Sequence, residues 1–154
     1  MSESIPLIIN IEDKIDRLTL YSLTAFLMSL RSSCKRGRNG AIITQNHRIV
    51  STGYNGSILP NHSCELNCDI KVKCKHAVHA EANAIAAAAK AGIELSGATI
   101  YITSSPCLDC AKLIIQAGIK VVVYNKTYET DNGDGLELLK LNNIEFYQHQ
   151  VKCQ

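Results

Sequence analysis

The chain has 154 residues and a mass of 16.9 kDa; 46% of the residues are hydrophobic, 19% charged and 5% aromatic. One domain of this length can bury roughly 70% of its unfolded surface without disulfides, and the composition excludes disorder and fibrous repeats. A net charge of +2 is too small to argue for nucleic acid or an acidic membrane surface as a partner, and no apolar run reaches the roughly eighteen residues of a membrane span.

Residues Met1 to Pro6 lack a cationic start, and the apolar patch from Ile5 to Ile11 is broken by Pro6 and Asn10. No signal peptide is read, so a reducing cytoplasm is expected. Asp13 to Ser32 reads as a helix, with Leu20, Leu23, Leu27 and Leu30 at helical spacing and Asp13 as its cap. It is apolar nearly all round, which predicts burial on more than one side and hints at an oligomer interface. After the basic stretch Lys35-Arg36-Gly37-Arg38, two strands, Gly40 to Gln45 and Arg48 to Gly53, flank a two-residue turn at Asn46-His47. Residues 54 to 76 show no period, and a structureless loop this long needs something to hold it. Val78 to Ala91 reads as an Ala-rich helix ended by Gly92. The second half alternates: strand Ala98 to Ser104, helix Cys107 to Ala117, strand Ile119 to Asn125, a helix from Asp134 to Leu141 with Glu137 completing a capping box, and strand Ile144 to Gln148. Apolar strands alternating with helices imply parallel neighbours. The predicted fold is a three-layer α/β/α domain, a five-stranded mixed sheet with helices on both faces and an antiparallel hairpin at one edge.

Seven cysteines are present, an odd number, and in a chain without a signal peptide they point to metal or catalysis rather than disulfides. Two motifs carry chemistry. His79-Ala80-Glu81 opens the Ala-rich helix, and Pro106-Cys107-Leu108-Asp109-Cys110 opens the next. Cysteines three apart in a first helical turn share a face, and a helix N-terminus favours thiolate. His79, Cys107 and Cys110 make three zinc ligands, which leaves a fourth position open to water, the pattern of a catalytic site. Glu81 is placed to exchange protons with that water without binding metal. A Cys-x-x-Cys pair alone can be a redox couple, and His-x-Glu alone is common by chance. Together, in this order and with a strand between them, they are the signature of zinc-dependent nucleobase deaminases.

Ser51-Thr52-Gly53-Tyr54-Asn55-Gly56-Ser57, His79 to Ile85, Ser105 to Lys112, and Gly118 to Tyr124 followed by Lys126-Thr127-Tyr128 resemble the cytidine deaminase-like superfamily, most closely the deoxycytidylate deaminases. The resemblance runs from about residue 20 to 148 and treats 1–154 as a single zinc-dependent deaminase domain. It implies that His79, Cys107 and Cys110 hold the catalytic Zn2+ and that Glu81 is the proton shuttle. Asn55 would bond the deoxyribose, and Tyr128 would pack beside pyrimidine and phosphate. The Ala80 N–H and the Ser104-Ser105 turn would hold the base edge. The implied reaction is dCMP plus water giving dUMP plus ammonia. Alternatives are an enzyme that also takes dCTP, an RNA or nucleobase deaminase, and a catalytically inactive zinc-binding interaction protein.

Cys34, Cys64, Cys68 and Cys74 remain after the catalytic set, and Cys153 stands alone. Many microbial proteins similar to this family carry a second, structural zinc on these loops, and four Cys would close such a site. His62 or His76 could replace one of them; free thiols and a disulfide are the other readings. The Lys35-Arg36-Gly37-Arg38 stretch is a solvated loop or a contact to nucleotide phosphates. The resemblance further implies a homo-oligomer, a hexamer in many members, with dCTP and dTTP as effectors and Mg2+ accompanying the nucleotide. Regulated members often have Pro directly after Gly-Tyr-Asn-Gly-x, whereas this chain has Ile58-Leu59 there and Pro60 later.

Overall fold

Helix α1 (Arg17–Ser29) begins where Asp16, in extended backbone, accepts the Thr19 N–H at 2.8 Å and the Thr19 hydroxyl at 2.9 Å. That satisfies one of the four donors a helix start leaves open. The computed structural model describes residues 14–59, 74–128 and 133–151. Asp13, the expected cap, lies outside them; Asp16 takes the role because Thr19 stands three residues on to receive both oxygens. Tyr21 and Ala25 pack α1 onto Ile42, Tyr101 and Val123. Its other side is open in the single chain, with Leu20, Leu27 and Leu30 exposed, so burial on more than one side is not what one chain provides.

The hairpin forms as expected from β1 (Gly40–Gln45) and β2 (Arg48–Tyr54). Its turn residues Asn46 and His47 both take left-handed backbone, φ 48° and 62°, the conformation that matches strand twist in a two-residue loop. The Tyr21 hydroxyl donates to the His47 carbonyl at 2.7 Å and clamps the turn to α1. Gly40 lets α1 lie on the sheet: a Cβ there would meet the Ala25 carbonyl and come within 2.6 Å of the Ser29 nitrogen.

Next, β3 (Gly56–Ser57) pairs antiparallel with β4 (Ala77–Val78). The pairing puts Val78 in a strand, not in the following helix as its apolar neighbours suggest, and it frames the long stretch between. Within that stretch Cys64, Cys68 and His62 lie outside the described residues. The remaining elements are α2 (Ala80–Lys90), β5 (Thr99–Ser104), α3 (Leu108–Gln116), β6 (Val121–Lys126), α4 (Asp134–Leu141) and β7 (Glu145–Gln148). The expected capping box at Asp134 does not form. The N-cap is Gly133, at φ 82° and with no side-chain cap bond. Left-handed backbone at Gly133 turns the chain straight into the helix. Asp134 and Glu137 then lie in its first turn, where they favour the positive end of the dipole.

The sheet runs β2-β1-β5-β6-β7; β1 is antiparallel to both neighbours, and β5, β6 and β7 are parallel. Alternation along each strand feeds two cores. Ile42, Tyr101 and Val123 face α1. Ala41, Ile43, Ile100, Ile102 and Val122 face the other layer, where Ala84, Ala88, Ile114 and Leu139 arrive from α2, α3 and α4. This is the three-layer α/β/α domain with a five-stranded mixed sheet. The start of β1 and the carboxyl ends of β2, β5 and β6 meet at one edge, where sheets of this kind bind ligands. No helix among the described residues is long and apolar enough to cross a membrane.

Candidate active site

Helices α2 and α3 both begin at that edge. Their N-caps are His79 (φ −72°, ψ 158°) and Cys107 (φ −70°, ψ 169°), and neither side chain caps its own helix. Cys107 is therefore one position outside the first turn in which the sequence placed it, yet the spacing to Cys110 still sets both sulfurs toward His79. His79 Nδ1 lies 3.5 Å from Cys107 Sγ and 3.4 Å from Cys110 Sγ. The three donor atoms lie within 4.8 Å of one another, the one such three-donor group among the described residues. Tetrahedral zinc, at about 2.1 Å from nitrogen and 2.3 Å from sulfur, separates a nitrogen and a sulfur ligand by about 3.6 Å. The donor set and its spacing fit zinc.

The sulfurs behave as a pair. Hydrogen bonding from Cys110, with His79 adding to it, lowers the Cys107 thiol to about 4 against the opposing effect of burial. Cys110 is pushed up, first by its bond to Cys107 and then by burial. The two thiols therefore favour a thiolate within the pair. A cation at this point would displace the remaining thiol proton.

Glu81, in the first turn of α2, is only 7% exposed. Burial raises its pKa, partly offset by a backbone hydrogen bond and the nearby His79. A carboxyl that readily holds a proton beside a metal-binding triad, without belonging to it, can carry protons to and from a ligand.

The surroundings hold these groups in place. Ser51 Oγ donates to the Ala84 carbonyl at 2.6 Å, and Asn83 Nδ2 donates to the Tyr54 carbonyl at 2.7 Å, so both ends of the contact tie α2 to β2. Ser105 N donates to the Lys126 carbonyl and Ser105 Oγ accepts the Tyr128 N–H, each at 2.8 Å. That fixes the turn between β5 and Cys107 and brings half-buried Tyr128 to the same edge.

Asn55 is buried, 8% exposed, and its side chain is engaged: Oδ1 accepts the Asn39 N–H at 2.8 Å, and Nδ2 donates to the Gly37 carbonyl at 2.9 Å. Ser104 Oγ donates to Asn39 Oδ1 at 2.9 Å. Ala80 is the first residue of α2, so its N–H belongs to those without an intrahelical acceptor. The structure thus brings His79, Ala80, Glu81, Asn55, Ser104, Ser105, Cys107, Cys110 and Tyr128 to one edge. Cys34 and Cys74 are half-buried, form no disulfide among the described residues and lie outside the three-donor group. Cys74 lines a cavity of about 660 Å³ together with His79, Asp109 and Cys110. Asn39, Asn83 and Thr103 are the residues the sequence reading missed. Asn39 and Thr103 meet through strand register, and Asn83 meets Tyr54 through the packing of α2 on β2, so local pattern does not single them out.

The family model described as the cytidine and deoxycytidylate deaminase zinc-binding region matches residues 16–126. The chain is 45% identical to ComE operon protein 2 of Bacillus subtilis over 106 residues, covering 68% of this chain and 56% of that protein. It is 34% identical to the deoxycytidylate deaminase of Enterobacteria phage T2, covering 80% of this chain and 87% of the relative. Among solved structures, the dCMP deaminase of cyanophage S-TIM5 in complex with dCMP and dUMP superposes with a TM-score of 0.80 at 34% identity, over 90% of this chain and 100% of that one. A match of that breadth, carried on the motifs that assemble the zinc-fitting edge, makes this chain a member of the cytidine and deoxycytidylate deaminase zinc-binding family.

Proposed function

We propose that residues 1–154 form a single zinc-dependent deaminase domain that converts dCMP and water to dUMP and ammonia. One observation carries the reading: a buried Glu81, its carboxyl pKa pushed up by burial, stands beside a His79, Cys107 and Cys110 triad spaced for zinc. What zinc supplies there is activation of a water molecule at neutral pH. Glu81 takes the first proton of the water as its oxygen bonds to C4 and places that proton on N3 of the cytosine ring. It then moves the remaining proton of the new C4 hydroxyl to the amino group, so that the C4–N bond breaks, ammonia leaves and the C4 carbonyl of dUMP remains. The Ala80 N–H and the backbone of the Ser104-Ser105 turn hold the base edge. Asn55 keeps one lone pair on Oδ1 and one N–H on Nδ2 for the deoxyribose. Tyr128 packs beside the pyrimidine, and exposed Lys35, Arg36 and Arg38 face the phosphate. Support comes from the cyanophage relative, whose structure holds dCMP and dUMP.

Ammonia release from dCMP, dCDP, dCTP, CMP and deoxycytidine tests the substrate. The expected order by kcat/KM puts dCMP first and places deoxycytidine and CMP well behind. Equal use of dCTP would favour the bifunctional alternative. Deoxycytidine as the best substrate would overturn the nucleotide pocket.

The second zinc is part of the same proposal, held by Cys34, Cys64, Cys68 and Cys74, with His62 or His76 as a possible replacement ligand. It closes the long stretch before His79 and contributes folding energy directly. Mass spectrometry should count two zinc ions per chain. Cys34→Ser should release one of them and lower the melting temperature. One zinc in the wild type, with Cys34→Ser melting like its parent, would return these cysteines to ordinary thiols. The exposed Leu20 and Leu27 on α1, with Leu30 at its C-cap, support a homo-oligomer, a hexamer by resemblance. Effector control by dCTP and dTTP with Mg2+ rests on the resemblance alone.

A further inference from the structure

Asn39 stands one residue ahead of β1. Gly40 pairs with Tyr54 and Ala41 with Ile102, so Asn39 lies beside Asn55 on one flank and Ser104 on the other. Its side-chain orientation follows from its neighbours. Thr103 Oγ1 accepts the Gly40 N–H at 3.1 Å, and Thr103 is buried, so the one hydroxyl proton needs an acceptor. Asn39 Oδ1 provides it at 3.1 Å, and the same oxygen accepts from Ser104 Oγ at 2.9 Å. Both lone pairs of the carboxamide oxygen are then filled. The two N–H donors of Nδ2 have no protein acceptor among the described residues, on a side chain that is half-buried.

Nδ2 is open to solvent rather than buried without a partner, so a ligand oxygen at this edge can take the place of water on it. The neighbouring donors are partly spent: Asn55 Nδ2 gives one of its two N–H groups to Gly37, and the Ser104 hydroxyl is given to Asn39 itself. In the chain, Asn39 follows the basic stretch 35–38, which faces the phosphate in the deaminase reading; across the register it touches Ser104, at the base end. Between phosphate and base lies the sugar. We propose, on the basis of that deaminase reading, that Asn39 is a specificity-determining residue whose Nδ2 donates a hydrogen bond to the 3′-hydroxyl oxygen of the deoxyribose.

Asn39→Asp isolates this role. It keeps an oxygen for the Thr103 and Ser104 hydroxyls and removes the two donors. Melting temperature and zinc content should match the wild type, and kcat should change little. KM for dCMP should rise about tenfold, the scale of one lost hydrogen bond together with the repulsion of a new carboxylate. The dideoxy analogue of dCMP, which lacks the 3′-hydroxyl, separates those two effects. Wild type should discriminate against it by about three- to tenfold, and Asn39→Asp should discriminate far less, because the bond is already gone. Asn39→Leu, which also strands the two hydroxyls, should lower the melting temperature as well. An equal KM penalty for Asn39→Asp on both substrates, or a wild type indifferent to the 3′-hydroxyl, would overturn the inference while leaving the deaminase reading standing. A wild type with no turnover of dCMP would overturn both.

Discussion

Replacing Glu81 by Gln should cut dCMP turnover by about a hundredfold to ten-thousandfold, the usual worth of a general acid–base group. Fold and zinc content should survive. Glu81 lies outside the triad whose donors fit the metal, and Gln has nearly its shape. Glu81 is buried in a site where desolvation raises its pKa, so folding favours the neutral form there. Gln supplies neutrality without the ability to release a proton. The loss should fall on kcat, because the same carboxyl serves the water, N3 and the leaving amine in turn. Turnover, bound zinc and thermal melting on one preparation check this. Near wild-type turnover would sink Glu81 as the shuttle. Loss of turnover together with loss of zinc would mean that the carboxyl holds the metal or the fold instead.

What could be read from sequence divides by the distance over which each interaction acts. The Asn46-His47 turn, the alternating strands and the paired motifs around His79 and Cys107 are local patterns, and the structure has them where the pattern put them. Errors came at the ends of elements. Val78 joins β4 because Gly56 pairs with it. The cap before α4 is Gly133 because its left-handed backbone sets the chain direction, which leaves Asp134 inside the helix. Asp16 displaces Asp13 as the cap of α1 through a partner three residues on, a choice that propensity alone left open. Asn55 could be singled out from its motif, but its bonds to Gly37 and Asn39 could not. Asn39 carries no motif at all. Its partners Thr103 and Ser104 are more than sixty residues away, and only the antiparallel register of β1 on β5 brings them together. The catalytic chemistry is thus written in short motifs, and the shape of the pocket is written in the pairing of strand ends.

The same long-range logic makes Gly53→Ala a severe change. Gly53 is buried near the end of β2 under α2. A Cβ at this position would run into the Ala80 carbonyl, lie 2.6 Å from the Ala84 nitrogen and 3.1 Å from its Cα. All three are backbone atoms of one helix, so no rotamer change can make room and the helix itself must move. Two short bonds resist the movement, Ser51 Oγ to the Ala84 carbonyl and Asn83 Nδ2 to the Tyr54 carbonyl, and both lengthen if α2 lifts off. Overpacking a core ordinarily costs about 1–3 kcal/mol, and a clash against rigid backbone belongs at or above the upper end. At about 2–4 °C per kcal/mol for a domain of this size, the melting temperature should fall by about 6–12 °C. The injury extends to the site because α2 starts at His79 and Glu81, whereas Cys107 and Cys110 belong to α3. Lifting one helix pulls the nitrogen ligand away from the two sulfurs, so bound zinc and turnover should fall with stability. Gly56→Ala is the matched control: a Cβ there meets nothing within 4 Å, and removing a glycine from an unstrained position is neutral or stabilises by about 0.4–1 kcal/mol. Thermal melts and zinc content of the two variants beside the wild type decide the matter. If Gly53→Ala melted with Gly56→Ala and kept its zinc, the close contact between β2 and α2 would not be what sets the spacing of the triad.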